Sequence, residues 1–261
     1  MSRYPKSGRQ VPPVSFSQNF LTSSRTVKWL VGRTDLRRDD HVIEIGSGKG
    51  HVTEVLAETC GRVTAVEIDP DMCSRTAQRT AGLSNVEIVN QDFLTWRLPS
   101  HGTYKVFSNI PFCITTQIIR KISESANPPD ETWLVMEKAA ARRFAGVPRE
   151  SLRSLLLKPN YEVDIVCQLQ RDDFHPRPSV DVVLFHMSKK AQPDILPKYW
   201  CSYERFVTEG MTDAAGLLRR VFTKKQLSMA LRYAGMRGVP PSGEMRYVQW
   251  LCLFRSYLMR H

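Results

Sequence analysis

With 261 residues and 42% hydrophobic side chains, this chain can fill one large domain, or a catalytic domain with a small appendage. No apolar run reaches the ~18 residues a membrane span requires, so a membrane partner is excluded. The net charge of +11 sits at the two ends. Residues 1–38 carry eight Lys/Arg against one acid, residues 39–185 sixteen against twenty, and residues 186–261 thirteen against five, giving +7, −4 and +8. A polyanion-binding enzyme has this distribution, because Lys and Arg displace counterions condensed on phosphates; the plain alternative is charge that only keeps the chain in solution. Residues 1–6 are polar and lead into no apolar signal segment, and the six cysteines are scattered without metal-ligand spacing. The expectation is a reduced cytoplasm, no disulfide framework and no metal.

Along the chain, Val42-Ile43-Glu44-Ile45 predicts a short strand running into glycines, and residues 51–58 a helix with Val52, Val55 and Leu56 on one face. Further strands are predicted at 62–69, 86–89, 104–108, 132–136, 161–166 and 180–187, with helices at 73–80 and 115–123. From about Tyr199 the pattern turns helical, at 203–212 and 225–234, broken by Gly235, Gly238, Pro240 and Pro241. The alternation implies an α/β fold, a doubly wound, Rossmann-like parallel sheet with a small C-terminal helical domain. The boundary falls within 188–198, dividing the chain into 1–190 and 191–261.

In such sheets ligands bind beyond the carboxyl ends of the strands, so strand-end residues should converge on one cleft. Gly46 and Gly48, in Glu44-Ile45-Gly46-Ser47-Gly48-Lys49-Gly50, permit close backbone approach to a ligand, though a plain helix-packing turn has the same composition. Glu67 lies 23 positions after Glu44 at the end of the next strand, where a carboxylate can accept from both hydroxyls of a ribose. Asp69 competes for that role, and strand alternation favours Glu67. Asp92 ends the third strand, where it could accept an adenine amino group with Ile68 or Phe93 against the ring; an ordinary turn or cap is the alternative.

Asn109-Ile110-Pro111-Phe112 ends the fourth strand. Pro111 fixes its own φ and pushes Ile110 toward an extended conformation, so the loop is rigid. An amide oxygen and a carbonyl held together can accept both hydrogens of an aromatic amine, freeing a lone pair otherwise delocalised into the ring. Phe112 supplies a face for stacking and for a sulfonium cation. The chemistry this suits is methyl transfer to a base.

Taken together, these motifs resemble the rRNA adenine-N6 methyltransferases, and more narrowly the Erm group, which modifies 23S rRNA and confers macrolide, lincosamide and streptogramin B resistance. The similarity covers nearly the whole chain. It implies S-adenosylmethionine as cofactor, bordered by Asn19 and Leu21 of Gln18-Asn19-Phe20-Leu21, by Gly46, Gly48, Glu67, Ile68, Asp92 and Phe93, and by Asn109. It implies catalysis by Asn109, Ile110, Pro111 and Phe112, with Phe174 of Phe174-His175-Pro176-Arg177-Pro178-Ser179-Val180 as a second aromatic against the base. Residues 1–190 would be the catalytic domain with a basic N-terminal arm and 191–261 an RNA-binding domain. The implied protein is a cytoplasmic monomer acting on 23S rRNA, free or in a ribosome precursor. The sister group dimethylates two adjacent adenines of small-subunit rRNA and usually carries Leu and Tyr where this chain has Ile110 and Phe112. Phosphate contact is expected among Arg142, Arg143, Lys189, Lys190, Arg219, Arg220, Lys224 and Lys225. A nicotinamide-dependent oxidoreductase would explain the glycine turn and Glu67 but not the tetrapeptide, and a non-catalytic RNA-binding homologue would not need the intact motifs.

Overall fold

The structure is a computed structural model that describes residues 19–259; the basic arm expected ahead of Asn19 lies outside them. In chain order the elements are β1 (Phe20–Leu21), α1 (Ser24–Val31), β2 (His41–Ile45), α2 (His51–Thr59), β3 (Arg62–Glu67), α3 (Pro70–Arg79), β4 (Val86–Asn90), β5 (Lys105–Asn109), α4 (Thr115–Ser123) and β6 (Glu131–Glu137). Then come α5 (Lys138–Ala145), α6 (Leu152–Leu157), β7 (Tyr161–Leu169), β8 (Phe174–His175), β9 (Val182–Lys189), α7 (Trp200–Val221), α8 (Lys224–Tyr233) and α9 (Tyr247–Leu258).

The main sheet has the order β4-β3-β2-β5-β6-β9-β7. From β4 to β6 every pairing is parallel, and β9 runs against both neighbours. The sheet is therefore mixed rather than wholly parallel. The link from β7 to β9 carries no crossover helix, and without one the returning strand can only pair antiparallel. β2, β5 and β6 are apolar on both faces and covered on both, whereas the edge strand β7 alternates buried and exposed residues, with Glu162, Asp164 and Gln168 facing water.

Strand alternation splits the core into two layers. From β6, Leu134 and Met136 join Ile118, Ile119 and Ile122 of α4 on one face, while Trp133 and Val135 join Val27, Leu30, Val55 and Leu56 of α1 and α2 on the other. A third apolar cluster lies among α7, α8 and α9, where the Trp250 indole fills the space a Cβ would take at Gly210. It also takes in Leu155 of α6 and Ile195.

The predicted strands are all present. α3 opens at Pro70 rather than Cys73, because the Asp69 side chain accepts from the N–H groups of Asp71 and Met72 and Pro70 is preset for the first turn. The predicted helix at 203–212 is part of the longer α7, whose geometry breaks at Asp213 (φ −149°, ψ 89°). Among the described residues no helix is long and apolar enough to cross a membrane.

Candidate functional site

The carboxyl ends of β3, β2 and β5 lie side by side, so Glu67, the glycine turn after Ile45 and Asn109 meet at one edge of the sheet. The turn is fixed from several sides. Its Gly46 N–H donates to the Val66 carbonyl (2.8 Å), and the Ser108 hydroxyl of β5 donates to the Ile45 carbonyl. Gly46 and Gly48 have φ of +76° and +53°, and a Cβ on Gly48 would lie 2.7 Å from the Phe20 ring. No other residue type fits there without strain. From α3 the buried Thr76 hydroxyl sits 3.1 Å from both the Gly48 carbonyl and the Ser47 hydroxyl.

Glu67 is buried, and each carboxylate oxygen accepts one main-chain N–H: Gly48 at 2.9 Å and Asp69 at 3.0 Å. The Asp69 carboxylate is committed to capping α3, so of the two acids Glu67 is the one facing the cleft. Glu44 lines the same cleft and is also buried, accepting from the Thr53 hydroxyl at 2.6 Å. Burial pushes the Glu44 carboxyl up to about 8; the Thr53 bond opposes the shift and the Glu67 charge adds to it.

On β5, the Asn109 side-chain nitrogen donates to the Asn19 main-chain carbonyl at 2.7 Å. Because a carbonyl can only accept, this bond decides which way the amide faces. Its oxygen, Oδ1, is buried and has no hydrogen-bond partner among the described residues. Ile110 is anchored by its N–H to the Val135 carbonyl (3.2 Å). Pro111 is extended (φ −62°, ψ 124°) and leads into a single 3-10 turn, Phe112–Ile114, with Phe112 half-buried against the α1–α2 layer. An unpaired buried oxygen costs roughly 1–3 kcal/mol, which a donor from a ligand would offset.

Of the residues expected here, Asn19, Leu21, Gly46, Gly48, Glu67, Asn109, Ile110 and Pro111 line one cleft. Ile68 stands half-exposed just beyond Glu67. Asp92 closes a local turn by accepting from the Leu94 N–H at 2.8 Å, leaving its second oxygen unbonded among the described residues. Phe93 is turned inward, buried near Trp96 and beneath Lys121. Of the two apolar candidates for an adenine face, Ile68 therefore has the open surface and Phe93 does not. Phe174 is likewise not presented to the cleft. It is 4% exposed, opposite Leu21 in the β1–β8 pair and packed in the α1–α2 layer, because that pairing turns its ring into the core.

The motif reading did not single out Phe20, Lys49 or His51, which also line the cleft. Lys49 lies 5.2 Å over the Phe20 ring. His51 Nδ1 is buried without a partner among the described residues, and burial together with Arg79 holds its imidazole below the ordinary range. Of the cations expected to meet phosphate, Lys190 is 14% exposed and paired with Glu162 and Asp194, Lys189 is near Asp130 and Arg220 is paired with Glu209. Arg142, Arg143, Arg219, Lys224 and Lys225 are exposed.

Known proteins resemble this chain over nearly its whole length. The family profile for ribosomal RNA adenine dimethylase matches residues 13–258. A Limosilactobacillus reuteri protein named rRNA adenine N-6-methyltransferase is 34% identical over 92% of this chain and 95% of its own, and an Escherichia coli protein of the same name is 31% identical over 94% and 96%. Among solved structures, 23S rRNA methyltransferase ErmE superposes with a TM-score of 0.84 at 30% identity, covering 92% of this chain and 99% of its own. A dimethyladenosine transferase from Plasmodium falciparum shares the fold at a TM-score of 0.68 and 19% identity. The chain thus belongs to the ribosomal RNA adenine dimethylase family and is an rRNA adenine-N6 methyltransferase.

Proposed function

We propose that this protein uses S-adenosylmethionine to methylate N6 of a specific adenine in 23S rRNA and so confers resistance to macrolides, lincosamides and streptogramin B. The observation that carries the reading is the Asn109 amide: its nitrogen is held by Asn19, its oxygen is buried and unpaired among the described residues, and it lines the same cleft as Ile110. The amide oxygen and the Ile110 carbonyl suit the two hydrogens of an exocyclic amine. Similarity to ErmE over nearly the whole of both chains supports the large-subunit RNA over the small-subunit one.

The cleft fits the cofactor. Glu67, pinned by two main-chain N–H groups, keeps lone pairs for the vicinal hydroxyls of a ribose, and the glycine turn lets a ligand approach the backbone. When bound, the cofactor supplies an electrophilic methyl on a sulfonium. The protein's part is to orient the base. Asn109 Oδ1 and the Ile110 carbonyl accept the amine hydrogens, the nitrogen pyramidalises with its lone pair toward the methyl, and Phe112 stacks on the ring. As the N–C bond formed, the methyl's bond to the sulfonium sulfur would break with its electron pair staying on sulfur as a neutral thioether, and the cationic nitrogen would release a proton to water, so no strong base is needed. Extruding the base costs a few kcal/mol and is cheapest where it is weakly stacked.

In this reading residues 1–190 form the catalytic unit with its basic arm, residues 191–261 hold RNA, and the protein is a cytoplasmic monomer. The test is incubation with labelled S-adenosylmethionine and separately prepared 23S and 16S rRNA, followed by mapping of the modified base. Label on an adenine N6 of 23S rRNA alone is expected. Label confined to adjacent adenines of 16S rRNA would assign the protein to the small-subunit group.

A further inference from the structure

Residues 214–243 contain six Lys/Arg (Arg219, Arg220, Lys224, Lys225, Arg232 and Arg237) and no Asp or Glu. α8 lies in the middle of this acid-free stretch and displays part of it as a stripe. Lys224, Lys225, Ser228, Met229, Arg232 and Tyr233 are exposed, whereas Ala230 is buried and Leu227 and Leu231 pack toward the apolar cluster. The spacing i, i+1, i+4, i+5, i+8, i+9 is one face of a helix along its whole length, roughly 15 Å at 1.5 Å per residue.

Three features set this face apart from a merely solvated one. Among the described residues, Arg219, Lys224, Lys225, Arg232 and Arg237 form no ion pair, while Lys189, Lys190 and Arg220 each have an acidic neighbour. Lys224 and Lys225 occupy the first turn, where the helix dipole is positive and cations are disfavoured; the same placement favours a bound phosphate. Met229 and Tyr233, 44% and 74% exposed, put an apolar ridge between the cations, suited to ribose and base edges rather than to water.

We propose that the exposed stripe of α8, extended by Arg219 and Arg237, is the docking surface for the backbone of a double-stranded arm of the RNA substrate, separate from the cleft that takes the base. The inference rests on the rRNA-methyltransferase reading. An A-form duplex presents phosphates and 2′-hydroxyls across a wide, shallow minor groove, which a basic helix face reads by shape and charge. α8 packs on α7 and α9, so RNA held here is held by the C-terminal helices.

The test uses the full chain, a triple variant K224Q/K225Q/R232Q and Tyr233→Ala. Two RNA probes are titrated by fluorescence anisotropy from 50 to 200 mM salt: 23S rRNA and an arbitrary 20-base-pair RNA duplex. The triple variant should bind both more weakly, with the log–log salt slope flattened by about three, one for each lost phosphate contact. Tyr233→Ala should weaken binding with little change of slope. Affinity for S-adenosylmethionine and the single-turnover rate at saturating 23S rRNA should match wild type. Unchanged affinity and slope on both probes in the triple variant would overturn the proposal, as would a loss of rate at saturating RNA with affinity intact. Failure of the methylation reading would show differently: wild type would modify no adenine, while duplex binding still depended on α8.

Discussion

The strand-end cleft and the α8 face handle polar groups in opposite ways. In the cleft nearly every polar group is buried and satisfied within the protein: Glu67 by two main-chain N–H groups, Glu44 by Thr53, the Asn109 amide nitrogen by Asn19. Among the described residues two buried atoms of the cleft are left over, Asn109 Oδ1 and His51 Nδ1, and of these the amide oxygen can only accept. On α8 the cations are exposed and, among the described residues, unpaired by acids. Chemistry needs a few groups fixed in advance in a low-dielectric site, whereas holding a polyanion needs mobile charge that can displace counterions. The two regions should therefore separate experimentally, with cleft substitutions changing rate or cofactor affinity and α8 substitutions changing RNA affinity.

The sharpest way to break that division is Asn109→Ala. Loss of one preorganised acceptor should slow single-turnover methylation by on the order of a hundredfold or more, with RNA affinity little changed. Near-wild-type turnover at saturating cofactor and RNA would refute the catalytic loop. Next in size is Glu67→Ala, expected to weaken S-adenosylmethionine binding by roughly 1.5–3 kcal/mol, the range for hydrogen bonds to a charged group. Calorimetry showing unchanged affinity would remove Glu67 from the cofactor site. The same substitution frees the Gly48 N–H, so a fold check by circular dichroism belongs with it.

Phe112 lies on the border of the two regions, because it is in the catalytic loop but its proposed contact is RNA. Phe112→Ala should cost about 1–3 kcal/mol of stacking, and Phe112→Tyr should be mild because the ring face is kept. Single-turnover rates against RNA concentration separate the two. A Tyr variant as impaired as the Ala one would mean that the ring packs against the core instead of the base.

How much of this was legible in the sequence follows the same division. The cleft is written in contiguous strand-end motifs, so Gly46, Gly48, Glu67 and Asn109 could be placed from their neighbours, and strand alternation alone separated Glu67 from Asp69. What depends on non-local packing was not legible. The inward turn of Phe93 and Phe174 is set by the layers they join, and Lys190, besides its local partner Asp194, is met by Glu162 of β7 and the Tyr247 ring of α9. The direction of β9 follows from a connection that lacks a helix, which its strand pattern does not reveal. α9, Tyr-Val-Gln-Trp-Leu-Cys-Leu-Phe-Arg-Ser-Tyr-Leu, is apolar on most sides because it is buried among α7 and α8, and so lacks the periodicity by which an exposed helix is recognised. α1 escaped because its cap, Ser23, sits in a polar run and the strand before it, β1, is only two residues long.

The last expected effect is a change in stability with pH at a buried acid of the cleft, and it needs no RNA or cofactor to measure. Glu44 is buried, and its carboxyl is pushed from 4.5 up to about 8, chiefly by burial. The folded state thus holds this proton more tightly than the unfolded chain does. The stability it contributes is fully present below the unfolded value and is lost as pH rises through the folded one. Between about pH 5 and 8 unfolding releases up to one proton from this carboxyl, so the loss should approach about 1.4 kcal/mol for each step of one in pH. Glu44→Gln keeps an acceptor for the Thr53 hydroxyl and cannot ionise. Urea unfolding of both proteins at pH 6 and pH 8 isolates this one group, because every other titration is common to the pair. The Gln variant should gain on wild type by roughly 2–3 kcal/mol between the two pH values. A constant difference would mean that Glu44 ionises in the folded protein with an ordinary carboxylate affinity, and that burial beside the glycine turn does not hold its proton.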